Sequence, residues 1–438
     1  MMFRLNRRVL SRAAAVFAGA IAFRGTDIDL LPGSDRQRRV VAQSDTPVTV
    51  AMLDMHAERL APLLQSYAES SGSDIDVTPL AYSDLYKQLS LALTQRSPTF
   101  DVVSLDDKWI PQFASFLRPV NIPSDLREVM VPIATTLSRF PEDATPCGFP
   151  WLGDSQFLAS RPVWLEQAGL QEPVSWDETV ATARAVATLV EPESELAGYA
   201  ISSREPHKVV DSFLPILRGY GKDLIDPVTS VPQLDTAAAL EAVSVFLALA
   251  AVSPRESSAT GEPSNIERFQ AGTVAMMSDF WASGLLMAGE IESVWNSGPI
   301  ACTMQPAQEE GERRSMTGVW MVGIPAGSEQ PERARAFLEW LVSPATQHAM
   351  VEVMLPPVLA PIYADDALID AHPLLPQLLD LLAASTPRPR SPYYAQLELL
   401  LASELNKMLV GEQSGEVAVG KANLAMREFL VREGVLVS

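Results

Sequence analysis

Strand-like and helix-like patterns alternate between residues 47 and 106, and this alternation constrains the fold more than any other feature. Short apolar runs typical of buried strands occur at residues 47–53, 75–80 and 101–106. Between them, residues 58–70 and 82–94 carry apolar side chains at helical spacing. This order of strands and helices predicts a parallel sheet joined by right-handed crossovers.

The third of these strands ends abruptly in polar and aromatic residues. Val102 and Val103 lie in the apolar run, and Asp106, Asp107 and Trp109 follow them. In open α/β sheets ligands bind at the carboxyl ends of the strands, so these side chains are candidates for a binding site. The alternative interpretation is that the carboxylates cap the next helix and that the indole packs in the core.

The composition excludes several classes of protein. With 438 residues, of which 47% are hydrophobic, the chain is long enough for two globular lobes. Its formal net charge of −21 argues against nucleic acid or an anionic membrane as the partner. The two cysteines and four histidines have no metal-ligand spacing, so we expect neither a metal nor a cofactor. The sequence leaves open whether Cys147 and Cys302 form a disulfide.

The N-terminal residues have the features of an export signal. Arginines precede an apolar run over residues 13–23 that is short for a membrane span. Residues 6–12 contain the two adjacent arginines of a twin-arginine signal. We therefore expect a periplasmic or extracellular protein in which residues 1–28 are the signal and residues 29–46 a leader. The alternative is that the N-terminal segment stays uncleaved as an anchor.

Two later strands also lie next to indoles. Residues 274–277 form an apolar run that Asp279 and Trp281 follow, which repeats the arrangement at the end of the third strand. Residues 316–324 form another strand-like run, and Trp320 lies inside it. These side chains extend the set of candidate site residues.

Turn-rich and proline-rich segments contribute the remaining candidates. Trp151 and Asp154 lie in a turn-rich segment that leads into a short predicted strand at residues 157–160. Two proline-rich loops follow later in the chain, one ending at Tyr363 and one containing Arg388. Loops of this kind often carry binding residues on a rigid scaffold.

Six segments, taken in order along the chain, carry a resemblance to a known family. They are residues 101–106, 269–276, 318–324, 334–341, 388–394 and 405–411. Together they resemble extracellular solute-binding protein family 1, the carbohydrate-binding subunits of bacterial ABC importers, which includes maltose and trehalose receptors. The resemblance covers the chain from Val48 onward.

The resemblance implies a two-lobed α/β periplasmic-binding-protein fold. Each lobe would be a mixed, mostly parallel sheet flanked by helices, with the ligand in the cleft between the lobes. The N-terminal lobe would comprise residues 47–149 and 298–345, and the C-terminal lobe residues 150–297 and 346–438. The family also implies a monomeric, non-enzymatic receptor that captures a di- or oligosaccharide and delivers it to the permease subunits of an ABC importer.

The chemistry of a sugar agrees with the candidate residues, because sugar faces stack on aromatic rings and sugar hydroxyls bond to carboxylates. The candidate ligand-binding residues are Asp54, Tyr82, Asp106, Asp107, Trp109, Trp151, Asp154, Asp279, Trp281, Trp320, Tyr363 and Arg388. One alternative is a secreted carbohydrate-active enzyme that uses carboxylates such as Asp106 and Asp279 as acid and base. Another is a receptor for a non-sugar polar solute such as a glycerophosphate compound.

Overall fold

The computed structural model describes residues 46–189, 196–254, 262–288, 299–308 and 311–437. The predicted export signal, and all but the last residue of the predicted leader, lie outside the described residues. None of the helices searched in the described ranges is both long and apolar enough to cross a membrane.

The strands of the described residues form one seven-stranded sheet. They are β1 (Val48–Leu53), β2 (Ile75–Leu80), β3 (Val102–Asp106), β4 (Phe149–Ser160), β5 (Met276–Trp281), β6 (Ala301–Thr303) and β7 (Met316–Gly323). Their order in the sheet is β2-β1-β3-β7-β4-β5, and β6 pairs with β4 beside this path.

The pairing of the strands divides the sheet into two parts. β1 pairs in parallel with both β2 and β3, as the alternating sequence pattern predicts. The pairs β3–β7, β7–β4, β4–β5 and β4–β6 are antiparallel. The sheet is therefore mixed, with its parallel part confined to the first three strands.

Helices cover the sheet and fill the space beyond it. They are α1 (Asp54–Ser71), α2 (Tyr82–Thr94), α3 (Ile110–Phe113), α4 (Ser124–Val129), α5 (Pro132–Leu137), α6 (Pro162–Gln167), α7 (Trp176–Ala187), α8 (Pro206–Gly219), α9 (Ala237–Ala251), α10 (Glu262–Gln270), α11 (Ala282–Ala288), α12 (Pro331–Leu341), α13 (Pro344–Glu352), α14 (Asp366–Ala371), α15 (Leu375–Ala383), α16 (Tyr394–Leu409) and α17 (Gly415–Arg432). Apolar spacing explains which faces are buried: in α2, Leu85, Leu89 and Leu93 lie on one face, and all three are buried.

The buried apolar side chains form two clusters. The first core contains side chains of β1 to β3, α1, α2 and α12, together with residues between Met350 and Leu382. The second core contains side chains of α7, α8, α9, α16 and α17. The lobe boundaries stay a prediction, and the first core takes in residues that the prediction gave to the C-terminal lobe.

Two long strands contribute side chains to both cores. In β4, Phe157 packs in the first core and Leu158 in the second. In β7, Met316 packs in the second core and Val319 in the first. Because backbone hydrogen bonds join β4 and β7 side by side, the two cores share one continuous piece of sheet.

The sequence predictions for β4 and β5 are wrong in the lengths of the two strands. β4 is a twelve-residue strand that contains Trp151 and Asp154, rather than a turn-rich segment before a four-residue strand. β5 runs to Trp281 and so contains Asp279, which the sequence placed past the strand end. Both strands are entirely buried, so they lack the alternating pattern by which a strand is recognised.

Candidate functional site

A cavity of about 360 Å³ lies where the three parallel strands end. β1, β2 and β3 bring Asp54, Tyr82 and Asp106 to it at or just after their carboxyl ends. The first two turns of α8 and the N-terminal turn of α11, together with β4, β5, β7 and the loop before α16, complete the wall. The residues that line it are Leu53, Asp54, Met55, His56, Ala81, Tyr82, Ser83, Asp106, Asp154, Glu205, His207, Lys208, Asp211, Trp281, Ser283, Gly318, Trp320 and Arg388.

The register of the antiparallel strands places aromatic rings beside carboxylates. Asp106 is the neighbour of Trp320 across β3 and β7, and Asp154 is the neighbour of Gly318 across β4 and β7. Side chains of such neighbours lie on the same face of a sheet. The sheet itself therefore fixes the relative positions of these groups.

Aromatic rings pack around the part of β7 that lines the cavity. The rings of Tyr82 and His207 stack with centroids 4.1 Å apart, and the rings of His56 and Trp320 meet edge to face with centroids 4.7 Å apart. Behind them, Trp109 packs against Tyr82 and Trp320. The aromatic wall is thus held in place by further rings in the core.

Trp281 reaches the cavity because Gly318 has no side chain. A Cβ at residue 318 would lie 2.3 Å from the Trp281 ring, which is far closer than atoms in contact. The Nε1 atom of Trp281 donates a hydrogen bond to Asp279 at 2.9 Å, and Gln156 donates a second one to the same carboxylate oxygen at 2.9 Å. These contacts fix the orientation of the indole.

Asp106 is the most strongly held carboxylate of the cavity wall. It accepts hydrogen bonds from the Tyr82 hydroxyl and from Arg388 Nη2, each at 2.6 Å. Burial by itself raises the pKa of Asp106, but the charges of Arg388 and Lys108 outweigh burial and hold the pKa below its usual value. Asp106 is therefore ionised at neutral pH.

Arg388 is surrounded by carboxylates from the end of β3 and from α8. Besides Asp106, it contacts Asp107 at 3.2 Å and Asp211 at 3.5 Å. Burial raises the pKa of Asp107 to about 6. Arg388 therefore joins the end of β3 to α8 through charge–charge contacts.

Asp154 lies on β4, on the other side of β7 from Asp106, and is hydrogen-bonded to the start of α11. It accepts a hydrogen bond from Ser283 Oγ at 2.6 Å and another from the Ser283 backbone N–H at 3.2 Å. Burial raises its pKa to about 6, in spite of these hydrogen bonds. The carboxylate is thus mostly ionised at pH 7 and becomes protonated in mild acid.

The structure brings seven of the twelve predicted site residues to the cavity wall. These are Asp54, Tyr82, Asp106, Asp154, Trp281, Trp320 and Arg388. Asp107, Trp109, Trp151 and Asp279 lie behind the wall and contact Arg388, Tyr82, His56 and Trp281, respectively. Tyr363 is not among the lining residues, because its hydroxyl is directed to the carbonyl oxygen of Pro357 at 2.7 Å.

Sequence reasoning missed seven polar residues of the wall. They are His56, Ser83, Glu205, His207, Lys208, Asp211 and Ser283. Four of them lie at the start of α8, which follows no recognisable strand and approaches the cavity only through tertiary packing. A signal existed for His56, since it lies three residues after the end of β1, just as Trp109 lies three residues after the end of β3.

The described residues contain no group of three His, Cys, Asp or Glu side chains placed to hold a metal ion. Cys147 and Cys302, which the sequence left open as a pair, are both buried free thiols. Burial raises the pKa of the Cys147 thiol to about 11, so it is protonated at neutral pH.

Residues 57–348 match the family model of the bacterial extracellular solute-binding proteins. The chain belongs to this family. The match confirms the family predicted from the sequence motifs, and it identifies the protein as a solute-binding protein.

Several relatives of this solute-binding protein are known. A protein of Sinorhizobium fredii described as a probable amino-acid ABC transporter periplasmic-binding protein is 23% identical over 86% of this chain and 88% of its own length. A solute-binding protein of Agrobacterium radiobacter, crystallised with ribitol, is 19% identical with a TM-score of 0.79 over 88% of this chain and 100% of that chain. A maltose-bound protein of T. maritima is 21% identical with a TM-score of 0.78 over the same shares of the two chains. These structural matches confirm the two-lobed α/β fold.

Proposed function

We propose that this solute-binding protein captures a small polyhydroxylated solute, a sugar or a sugar alcohol, in the cavity between β3, β5, β7 and α8. The observation that carries the proposal is the pairing of indole and phenol rings with carboxylates in the wall of the cavity. Trp281, Trp320 and Tyr82 offer faces for the C–H surface of a sugar ring. Asp106 and Asp154 offer charged acceptors for its hydroxyls.

The size of the cavity agrees with a ligand of one or two rings. Its volume of about 360 Å³ lies near the lower end of the range of roughly 300–1,000 Å³ typical of small-molecule pockets. Similar proteins have been crystallised with ribitol, maltose and D-mannitol. These three ligands share a chain or ring rich in hydroxyls.

An amino acid fits the wall less well, although the Sinorhizobium relative is described as an amino-acid binder. The carboxylate of an amino acid needs a cation that the protein has not already neutralised. Arg388 contacts three carboxylates, and Lys208 lies 3.7 Å from Asp279. The same argument disfavours a glycerophosphate compound, since phosphate carries more negative charge.

We also propose that the protein acts without catalysis, as an exported monomer that delivers its solute to the permease subunits of an ABC importer. The glycosidase alternative requires two accessible carboxylates flanking the ligand. Asp279 does not line the cavity, and its carboxylate is engaged by Gln156 and Trp281. The family of the chain supports the transport role.

A thermal-shift screen tests the proposed ligand class. Ribitol, mannitol, tagatose and maltose are compared with the proteinogenic amino acids on the purified full chain. A ligand at 100 times its Kd stabilises the folded state by about 2.7 kcal/mol, which gives a clear rise in melting temperature. We expect at least one sugar or sugar alcohol to raise the melting temperature in a concentration-dependent way and to be recovered unchanged. A rise with amino acids alone, or conversion of the sugar to products, would contradict it.

A further inference from the structure

The wall of the cavity carries an excess of negative charge. Five of its residues are carboxylic acids, namely Asp54, Asp106, Asp154, Glu205 and Asp211, and two are basic, namely Lys208 and Arg388. The two histidines of the wall do not reduce the excess. Burial lowers the pKa of His56 to about 3, and burial together with the charge of Lys208 lowers that of His207, so both rings are neutral.

Both cations of the wall form ion pairs with carboxylates. Arg388 contacts Asp106, Asp107 and Asp211, so three carboxylates share one guanidinium group. Lys208 lies 3.7 Å from Asp279, which is outside the wall. Asp54, Asp154 and Glu205 take part in neither of these groups of ion pairs, although the charge of Lys208 partly opposes the effect of burial on the pKa of Asp154.

Two carboxylates of the wall also have oxygen atoms that accept no hydrogen bond from any described residue. Oε2 of Glu205 and Oδ1 of Asp211 are both shielded from solvent and both lack a donor. Asp211 is 2% exposed, and its Oδ1 atom is no closer than 3.5 Å to Arg388 Nη1. A buried carboxylate oxygen without a donor is costly, and an ammonium group supplies up to three donors and a positive charge.

The aromatic wall is suited to the same group. The faces of tryptophan and tyrosine attract cations through their π electrons. The protein already uses them in this way, since Lys208 Nζ lies 5.4 Å from the centroid of the Trp281 ring and Lys108 Nζ lies 5.3 Å from that of Tyr82. A sugar ring beside these faces would place an attached ammonium group where the π electrons of the rings attract it.

We propose that the solute carries a protonated amine, and that its class is the amino sugars and related hydroxylated amines rather than neutral sugars. This inference rests on the proposed function, because it assumes a polyhydroxylated ligand in this cavity. The amine would contact the wall carboxylates outside these ion pairs, above all Glu205 at the start of α8. The hydroxyls would contact Asp106 and Asp154.

Isothermal titration of the full chain with matched sugars tests the inference. Glucosamine, galactosamine and mannosamine are each compared at pH 7 with the parent hexose and with the N-acetyl derivative, which has the same ring and no charge. We expect at least one amine to bind ten times or more tightly than both of its neutral counterparts, and to lose affinity as salt is added. Equal or tighter binding of the neutral sugars, or binding of neutral polyols without any amine, overturns this inference and leaves the proposed function standing. Absence of binding by every sugar and polyol overturns both.

Charge-neutral variants locate the amine. Glu205→Gln keeps the size of the side chain, and Glu205 makes no capping hydrogen bond that the change would break. It should lower the affinity for the amine about tenfold, and with it the ratio of amine to neutral-hexose affinity. Glu166→Gln, at an exposed residue of α6 outside the cavity, is the matched control and should change neither. If Glu205→Gln and Asp54→Asn both leave the ratio of amine to neutral affinity unchanged, the assignment is overturned.

Discussion

Trp320 is the residue at which the sheet and the cavity meet. It lies inside β7, across from Asp106, and its ring contacts His56, Tyr82 and Trp109. The sequence predicted it as a candidate because it lies inside the strand-like run of residues 316–324. Its surroundings were not predictable, because His56 and Tyr82 reach it from α1 and α2, which are distant in the sequence.

Removal of this indole tests its contact with the solute. Trp320→Ala should weaken binding by about 1–3 kcal/mol, in the range for a buried aromatic contact at a binding site. Trp340→Ala is the matched control, because Trp340 is half-buried in α12 and packs on Tyr67 and Phe337 away from the cavity. Calorimetric titration of both folded variants with the best ligand provides the measurement. Equal loss in the two variants would remove Trp320 from the binding site.

Gly318 provides a second test at the scale of one residue. An added methyl group would displace the Trp281 ring, since the two would be 2.3 Å apart. Gly318→Ala should therefore lower the affinity for the solute about tenfold while the protein stays folded. The affinity is measured by titration calorimetry, and folding by circular dichroism. Unchanged affinity would mean that Trp281 does not contact the solute.

Because His56 is buried and neutral, it makes the free energy of unfolding fall as the pH falls. Its pKa is about 3 in the folded chain, lowered by burial, against 6.5 for an exposed histidine. The folded state therefore resists protonation, so the contribution of His56 is fully present above pH 6.5 and is lost as the pH falls toward 3. Between pH 7 and pH 5 the loss is about 2 kcal/mol.

The variant His56→Gln isolates this effect because glutamine does not titrate. Urea unfolding at pH 7 and pH 5 should show that wild type loses about 2 kcal/mol more than the variant. Asp107 and Asp154 act in the opposite sense, since their raised pKa values remove stability as the pH rises toward 6. They are present in both proteins, so the difference between the two belongs to residue 56. An equal loss in both proteins would contradict a buried neutral imidazole.

At the scale of elements, a buried ion pair joins the end of β3 to α16. Lys108 Nζ lies 2.6 Å from Glu398, and both side chains are almost completely excluded from solvent. The two residues are 290 positions apart, so no local pattern in the sequence could reveal the pair. Burial raises the pKa of Glu398, although the charge of Lys108 partly opposes this.

This pair should behave as buried pairs do. Lys108→Met should destabilise the protein by about 3–5 kcal/mol, because it leaves a carboxylate buried without its cation. The double variant Lys108→Met, Glu398→Met should regain most of that stability. Lys87→Met is the control, since its partner Asp84 is exposed and the pair is worth at most about 1 kcal/mol. Urea unfolding measures all three, and a double variant no more stable than Lys108→Met would contradict the role of the pair.

The elements also explain how far the sequence predicts the fold. β1 to β3 and their helices were predictable because their apolar runs are short and separated by amphipathic helices. β4 was not, because Pro150 and Gly153 lie inside it and resemble a turn. A register shift between Pro150 and Leu152 accommodates the proline, and Gly153 lies against the backbone of Pro357.

At the scale of the whole molecule, one sheet runs through both cores. β4 and β7 contribute side chains to each of them, so neither core is complete without strands that also belong to the other. Differential scanning calorimetry of the ligand-free chain should therefore show one cooperative transition. Two separate transitions would indicate cores that unfold independently.

The place of the solute is best measured by a crystal structure of the complex. The ligand is the sugar, amino sugar or sugar alcohol that raises the melting temperature most. We expect it to lie in the cavity, with a ring or carbon chain against Trp281 or Trp320 and hydroxyls within hydrogen-bond distance of Asp106 or Asp154. We also expect it to contact side chains from both cores. A ligand bound outside this cavity, or one that contacts neither indole nor either carboxylate, would contradict this placement of the solute.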